Sequence, residues 1–400
     1  MARLDDRWGP YLEGLSAESG RRVLKPGRPE SAAVIWRDGR RLINFSSNDY
    51  LGLAGHPALI ERAIAWTEEW GTGARASRLV TGTTELHAAL EDKLARLKGA
   101  EAGLILNSGY QANSAILPAL FDRRTLGADA VVFADKLIHA SLHHGCRSAG
   151  VRPHLFRHND LDHLEELLKK HGGTRFIITE SVFSMDGDRA DLAALANLAE
   201  RHDAFLYVDD AHATGVLGPQ GLGLASTAGT GIDLVMGTFS KALGGFGAYV
   251  ACSAAMKDYL VNRCRGFIYS TALPPGVLGA MYAALDIVPT LDAERHRLHA
   301  GAEALRQALQ DADLDTAGST TQIVPALIGE ADTVLAVSAM MEEAGVLGIA
   351  IRPPTVPAGT CRIRFAVTAD HATEDMDALF ALVPRMAEMC RAGTSRAGTG

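Results

Sequence analysis

The sequence predicts an α/β protein in two parts: a large domain on a mainly parallel central sheet, and a smaller C-terminal α+β domain. Between about residues 100 and 255, short apolar runs alternate with amphipathic stretches, the pattern of repeated β-α units around a buried sheet. After Pro274-Pro275 that pattern gives way to a long Ala/Leu-rich helical segment and then shorter strand-like runs. At 400 residues the chain has room for two such units, since one compact unit usually takes about 100–200.

In chain order, residues 1–50 read as an N-terminal segment, 51–285 as the large domain, 286–390 as the small domain and 391–400 as a disordered tail. Within the large domain Thr84 opens a helix with Leu86, Leu90, Leu94 and Leu97 on one face and Gly99 as its stop. The expected strands are Gly103–Asn107, Ala130–Ala134, Arg175–Thr179, Phe205–Asp209, Leu234–Thr238 and Gly247–Cys252. Leu161, Leu164, Leu167 and Leu168, and then Leu192, Leu195 and Leu198, recur at helical spacing and predict helices that cover the sheet. Beyond them come a helical segment to about residue 312, strand-like runs at Ile323–Leu327 and Arg362–Val367, and helical residues 331–345. The final stretch, made of Gly, Ser, Thr, Ala and Arg, carries no apolar pattern.

Composition narrows the function. With 39 basic against 47 acidic residues, a net charge of −8 argues against a nucleic-acid or anionic-membrane binder and leaves anionic small ligands open to a locally positive site. The five cysteines, Cys146, Cys252, Cys264, Cys361 and Cys390, are scattered without a C-x-x-C pair. That spacing disfavours a disulfide framework or a zinc ribbon and suits a reducing compartment. Met1–Pro10 shows no apolar signal region and no run approaches the ~18 apolar residues of a membrane span, so a cytoplasmic location is expected.

Chemistry concentrates where apolar strands stop. Phe205 to Val208 runs into Asp209-Asp210-Ala211-His212, and another strand ends in Thr238-Phe239-Ser240-Lys241 before a glycine-rich turn. Carboxyl ends of parallel strands are where open α/β sheets bind ligands. A lysine between a buried strand and a glycine turn is costly unless paired or lowered in pKa, which would make it a nucleophile. An acid, a hydroxyl and an amine on one rim suit pyridoxal phosphate, whose aldehyde condenses with lysine and whose ring nitrogen takes an acidic partner. Leu104–Asn107 leading into Ser108-Gly109-Tyr110 is a strand, turn and helix start fit for the phosphate. His139 follows another strand and is a candidate to stack on the ring. The metal reading of His139, His143, His144 and Cys146 lacks the acid of H-E-x-x-H and a further partner, so no metal is expected.

Several blocks, in order, resemble the α-oxoamine synthases, pyridoxal-phosphate enzymes of fold type I. They are Asn44-Phe45-Ser46-Ser47-Asn48-Asp49-Tyr50-Leu51-Gly52-Leu53, Gly71-Thr72-Gly73-Ala74-Arg75 to His87, Thr179-Glu180-Ser181-Val182-Phe183-Ser184-Met185-Asp186-Gly187, and Thr238-Phe239-Ser240-Lys241. The resemblance spans about residues 20–385. It makes Lys241 the Schiff-base lysine, Asp209 the partner of the ring nitrogen and His139 the stacking residue, these three being the catalytic group. His212 and Ser184 would bond ring substituents, Thr238 the phosphate, and Ser108, Gly109 and Tyr110 the turn beside it. Asn48 and Arg364 would hold the amino-acid carboxylate, with Thr355 and Arg22 near substrate; Arg21 competes with Arg22 and Arg362 with Arg364.

The blocks Asp209 to Gly218 and Ile351 to Pro357 look most like the branch that condenses L-alanine with a pimeloyl thioester, on coenzyme A or a carrier protein, with loss of CO2 in biotin synthesis. Ala213, where that branch commonly has glycine, is a departure. Sister branches pair glycine with acetyl or succinyl thioesters, or serine with palmitoyl thioester. The resemblance also implies a homodimer in which Ser270 and Thr271 of one subunit approach the phosphate of the other. A nicotinamide dehydrogenase would need an early G-x-G-x-x-G turn, which the sequence lacks; a catalytically silent subunit of the same fold is disfavoured by Lys241.

Overall fold

The computed structural model describes residues 4–17, 20–229 and 231–397. Its contacts divide the chain into two units, one of Asn48–Ser184 with Asp188–Arg297, the other of Met1–Ser47, Met185–Gly187 and Leu298–Gly400. The expected boundaries after residues 50 and 285 therefore move. Residues 28–44, expected as part of a separate N-terminal segment, form strands of the unit that contains the C-terminal region.

The larger unit holds a seven-stranded sheet. Its strands are β1 Ala102–Leu106, β2 Ala130–Asp135, β3 His154–Phe156, β4 Thr174–Glu180, β5 Ala204–Asp209, β6 Leu234–Thr238 and β7 Ala248–Cys252. The spatial order is β1-β7-β6-β5-β4-β2-β3. Every strand expected in this region is present, and β3, too short to show in an apolar pattern, is an addition. All neighbours pair in parallel except β7, which runs antiparallel to β1 and β6.

Both faces of the sheet are covered, which is why its strands read as unbroken apolar runs. One face packs Leu104, Ile178, Tyr207 and Met236 against Ile116, Leu117 and Leu142 of the helices Gly109–Leu120 and Ala140–Ser148. The other packs Phe133, Ile177 and Val208 against Leu164, Leu168, Leu195 and Leu198, the helical leucines read from the sequence. Helix Glu85–Lys98 follows Thr84 and stops at Gly99, whose φ of +62° is the left-handed conformation that glycine adopts without penalty. The segment after Pro274 is interrupted: helix Pro275–Ile287 gives way to a tight 3-10 turn at Val288–Thr290 before helix Asp292–Asp311. Pro289 has no N–H to continue the helical ladder.

In the smaller unit, Ile323–Gly329, Cys361–Ala366 and Ala350–Ile351 make a three-stranded antiparallel sheet, and Arg40–Asn44 pairs in parallel with Val346–Leu347. The expected loose tail is mostly helix: Val383–Ala397 is continuous, and residues 398–400 lie outside the described residues. Met386 and Ala387 anchor that helix in the core, and Gly393 sits where a Cβ would come within 2.7 Å of Thr333 Oγ1. A glycine read as loop punctuation is here a close approach to Thr333. Among the described residues no single helix is long and apolar enough to cross a membrane.

A histidine clamps the rim of the sheet. His158 Nδ1 lies 2.9 Å from Asp135 Oδ1 at the end of β2, and Nε2 lies 2.7 Å from Asp188 Oδ2. Burial opposes its protonation, but hydrogen bonds and charge from Asp135 and Asp188 outweigh burial and push its pKa up to about 9. A pKa above the unfolded value of about 6.5 means the clamp stabilises fully below that pH and is lost as pH rises through about 9. His158→Gln should therefore lower stability by roughly 1–3 kcal/mol at pH 6. In thermal melts that difference should shrink toward zero by about pH 10; an equal loss at both pH values would contradict the clamp.

Candidate active site

The candidate site lies along the carboxyl ends of β4, β5 and β6. Asp209 closes β5, and its Cα pairs with Glu180 of β4 and Met236 of β6. The Asp209 side chain is buried, with Oδ1 accepting Ala211 N–H at 3.0 Å and Oδ2 accepting Asn113 Nδ2 at 2.7 Å. Both oxygens are thus met by donors, the condition for keeping a carboxylate in the interior. Beside it Glu180 is almost wholly buried, and its Oε1 has no hydrogen-bond partner. Burial first, and then the negative charge of Asp209, hold the Glu180 pKa well above the usual carboxylate range. Burial and a neighbouring charge of the same sign thus both favour the neutral form of Glu180.

Lys241 follows β6 in a turn closed by Gly244 N–H to Lys241 O at 2.9 Å and Gly245 N–H to Phe239 O at 2.8 Å. It is half-buried. Its positive charge is felt at both Glu180 and His139, as is the negative charge of Asp209, so amine, acid and imidazole share one neighbourhood. Gly237, just before the turn, leaves room for Tyr249: a Cβ there would stand 2.3 Å from the ring.

His139 caps helix Ala140–Ser148, its Nδ1 accepting Ser141 N–H at 3.2 Å. The residue is exposed overall, yet enough of its imidazole is enclosed that burial lowers its pKa; Asp209 opposes this and Lys241 and His143 add to it. Tyr110 meets the His139 ring edge-on, with centroids 6.5 Å apart. Ser108 caps helix Gly109–Leu120, its Oγ accepting Gln111 N–H at 3.2 Å. The first N–H groups of that helix, on Gly109 and Tyr110, have no intrahelical acceptor, the arrangement that can meet an anion. Gln111 Nε2 donates to Ser270 Oγ at 2.6 Å and Asn107 Nδ2 to Thr271 O at 2.9 Å, so within one chain Ser270 and Thr271 are tied to this turn, whereas the expectation was an approach to the phosphate of the other subunit.

His212 Nδ1 lies 2.8 Å from Tyr50 OH, and that hydroxyl lies 3.2 Å from Asn48 Oδ1, which brings Asn48 and His212 to one tyrosine. Ser184 is buried at the end of the same unit's first segment. Thr238 is buried, and its hydroxyl donates to Gly247 O at 2.8 Å while accepting Ser240 N–H at 3.1 Å. That hydroxyl thus bonds within the turn that carries Lys241. Arg22, Thr355 and Arg364 belong to the smaller unit. There Arg22 donates to Pro353 O at 3.0 Å, Arg21 O accepts from Arg352, Thr355 is exposed and Arg364 is buried. Arg362, the competitor of Arg364, is committed to an ion pair with Asp186.

Sequence reading missed Asn113, Ser141, Tyr207, Tyr50 and Glu180 as members of the site. Each is polar and sits in an otherwise apolar stretch or turn, which is the only signal the sequence offers. Among the described residues no group of three or more His, Cys, Asp or Glu is placed to hold a metal ion.

Comparison with known proteins bears on the same region. The aminotransferase class I and II family model matches residues 40–382. The chain is 57% identical over 384 residues to the 8-amino-7-oxononanoate synthase of Gluconacetobacter diazotrophicus, covering 95% of this chain and 96% of that one. A serine palmitoyltransferase (SPT) solved with PLP as its internal aldimine matches with a TM-score of 0.89 at 25% identity, over 97% of this chain and 99% of that chain. The structure of 8-amino-7-oxononanoate synthase from Francisella tularensis matches with a TM-score of 0.75 at 26% identity, over 87% and 98%. The architecture is therefore that of the fold type I transferases, as the sequence led one to expect. A family model across most of the chain, and a relative identical at more than half the aligned positions, make this chain a member of the class I and II aminotransferase family, in the branch of the 8-amino-7-oxononanoate synthases.

Proposed function

We propose that the chain binds pyridoxal phosphate and catalyses the decarboxylative condensation of L-alanine with a pimeloyl thioester, giving 8-amino-7-oxononanoate, CO2 and the free thiol of coenzyme A or a carrier protein. The observation that carries this reading is the meeting of a half-buried amine, a buried carboxylate and an open imidazole at the strand ends. The kinship with synthases of that name selects the substrates. These residues fit the cofactor: Lys241 for its aldehyde, Asp209 for its ring nitrogen, His139 against its face, and the N–H groups after Ser108, at Gly109 and Tyr110, for its phosphate. His212 and Ser184 are assigned to ring substituents. Thr238, in the turn that presents Lys241, is assigned to the phosphate.

When bound, the cofactor supplies an electron sink that stabilises negative charge at the amino-acid Cα. Asp209, anchored by Asn113 and Ala211, would hold the cofactor's ring nitrogen and favour the proton on it. Glu180, kept neutral, spares the site a second negative charge that would compete for that proton. Lys241 takes the Cα proton of alanine; the Cα then bonds to the acyl carbon, the thiol leaves, the alanine carboxylate departs as CO2, and a proton returns to Cα. Asn48 and Arg364 are assigned to the alanine carboxylate, with guanidinium recognition by two parallel bonds as the reason for Arg364. Thr355 and Arg22 are assigned to the acyl substrate. A cytoplasmic homodimer completes the proposal, in keeping with the free state of all five cysteines.

The deciding assay offers alanine, glycine or serine with pimeloyl, acetyl, succinyl or palmitoyl thioester and measures CO2 release. Alanine with pimeloyl thioester should give the highest kcat/KM; glycine with succinyl or acetyl thioester in first place would overturn the substrate assignment. Asp209→Asn should lower kcat at least about tenfold, the rate equivalent of one charge-assisted hydrogen bond. Unchanged kcat would remove Asp209 from its role.

A further inference from the structure

The imidazole of His139 is held through one ring nitrogen. Nδ1 accepts Ser141 N–H at 3.2 Å and lies 2.7 Å from Ser141 Oγ, while Nε2 has no hydrogen-bond partner among the described residues. A backbone N–H only donates, so the nitrogen facing it bears a lone pair. Ser141 is fully buried, and its Oγ lies 2.9 Å from Asn113 Nδ2. The orientation of the Asn113 amide is fixed from outside: Tyr207 O–H donates to Oδ1 at 2.7 Å, and Nδ2 faces Asp209 Oδ2 at 2.7 Å. Ser141 Oγ therefore accepts from Asn113, and its own hydrogen finds its acceptor in His139 Nδ1. With the proton on Nδ1 instead, two N–H groups would confront each other. The Ser141 hydroxyl hydrogen would then be buried without an acceptor, an arrangement that folded interiors avoid.

We propose that Ser141 and Asn113 are positioning residues that fix His139 as its Nε2–H tautomer, so that the imidazole presents a donor and not a lone pair to the reactants. The proposal rests on the placement of His139 at the cofactor and substrate given above. Its polarity begins at Asp209: the carboxylate orients the amide, the amide orients the hydroxyl, and the hydroxyl orients the imidazole. One asparagine thus couples the acid for the ring nitrogen to the ring that lies against the cofactor's face. Burial, helped by Lys241 and His143, keeps His139 neutral against the pull of Asp209, so its tautomer governs what it offers. A donor at Nε2 suits a reaction whose substrate oxygens, on the alanine carboxylate and the acyl group, carry negative charge; a lone pair there would repel them.

Nitrogen-15 NMR of the pyridoxal-phosphate-loaded enzyme, labelled at histidine and assigned by the signal lost in His139→Asn, reads the tautomer directly. At neutral pH the His139 proton is expected on Nε2; a proton on Nδ1, or on both nitrogens, overturns the proposal, and this wild-type spectrum decides without any variant. Ser141→Ala and Asn113→Ala should each mix the tautomers and lower kcat by about tenfold or more, with KM for alanine little changed. A folded Ser141→Ala enzyme with the wild-type tautomer and kcat would equally overturn it. The spectrum is recorded without substrate, so a wrong acyl or amino-acid assignment, exposed by the CO2 assay, leaves this result standing.

Discussion

The architecture of the site depends on seating one carboxylate inside the protein with a donor on each oxygen. Asp209 stands at the end of a central strand with the sheet on both sides, where an unpaired anion would be prohibitively expensive. Two donors, from Ala211 N–H and the Asn113 amide, make it tolerable. Its neighbour Glu180, lacking such donors on one oxygen, yields its charge instead. Of two acids one strand apart, one has donors on both oxygens and the other is pushed toward its neutral form, a difference that a reaction needing a protonated ring nitrogen can exploit.

That difference requires the surrounding backbone to be held closely. Asp210, adjacent in sequence, points away and is itself buried, with its pKa pushed up to about 6, and Gly223 passes so close that any side chain there would strike its carboxyl. Tyr249 fills the space left by Gly237 and reaches Thr214 at 2.9 Å, which pins the chain beyond Asp209. These contacts join β5, β6 and β7 at the level of the candidate site. The turn carrying Lys241 is closed over the same strands by hydrogen bonds within itself.

Much of this was legible in the sequence for a simple reason. Strands buried on both faces read as apolar runs, and a charged residue where such a run stops has few innocent explanations. Asp209, His212 and Lys241 were visible in that way, and the leucines of the covering helices showed their period. The supporting residues were not visible, because their meaning comes from partners remote in sequence: Asn113 and Asp209 are 96 positions apart, Tyr50 and His212 162. The hydroxyl of Thr238 likewise bonds within its own turn, to Gly247 O and Ser240 N–H, which the sequence does not show. The C-terminal stretch misled through composition, since small residues that look like a tail also let a helix approach a neighbour closely.

The central claim is that the amine of Lys241 forms the bond to the cofactor beside the acid at Asp209. Borohydride reduction of the enzyme saturated with pyridoxal phosphate, followed by proteolysis and mass mapping, tests it most directly. The account predicts the cofactor's mass on the peptide containing Lys241 and on no other. Recovery of that mass on a different lysine, or of no labelled peptide at all, would contradict it.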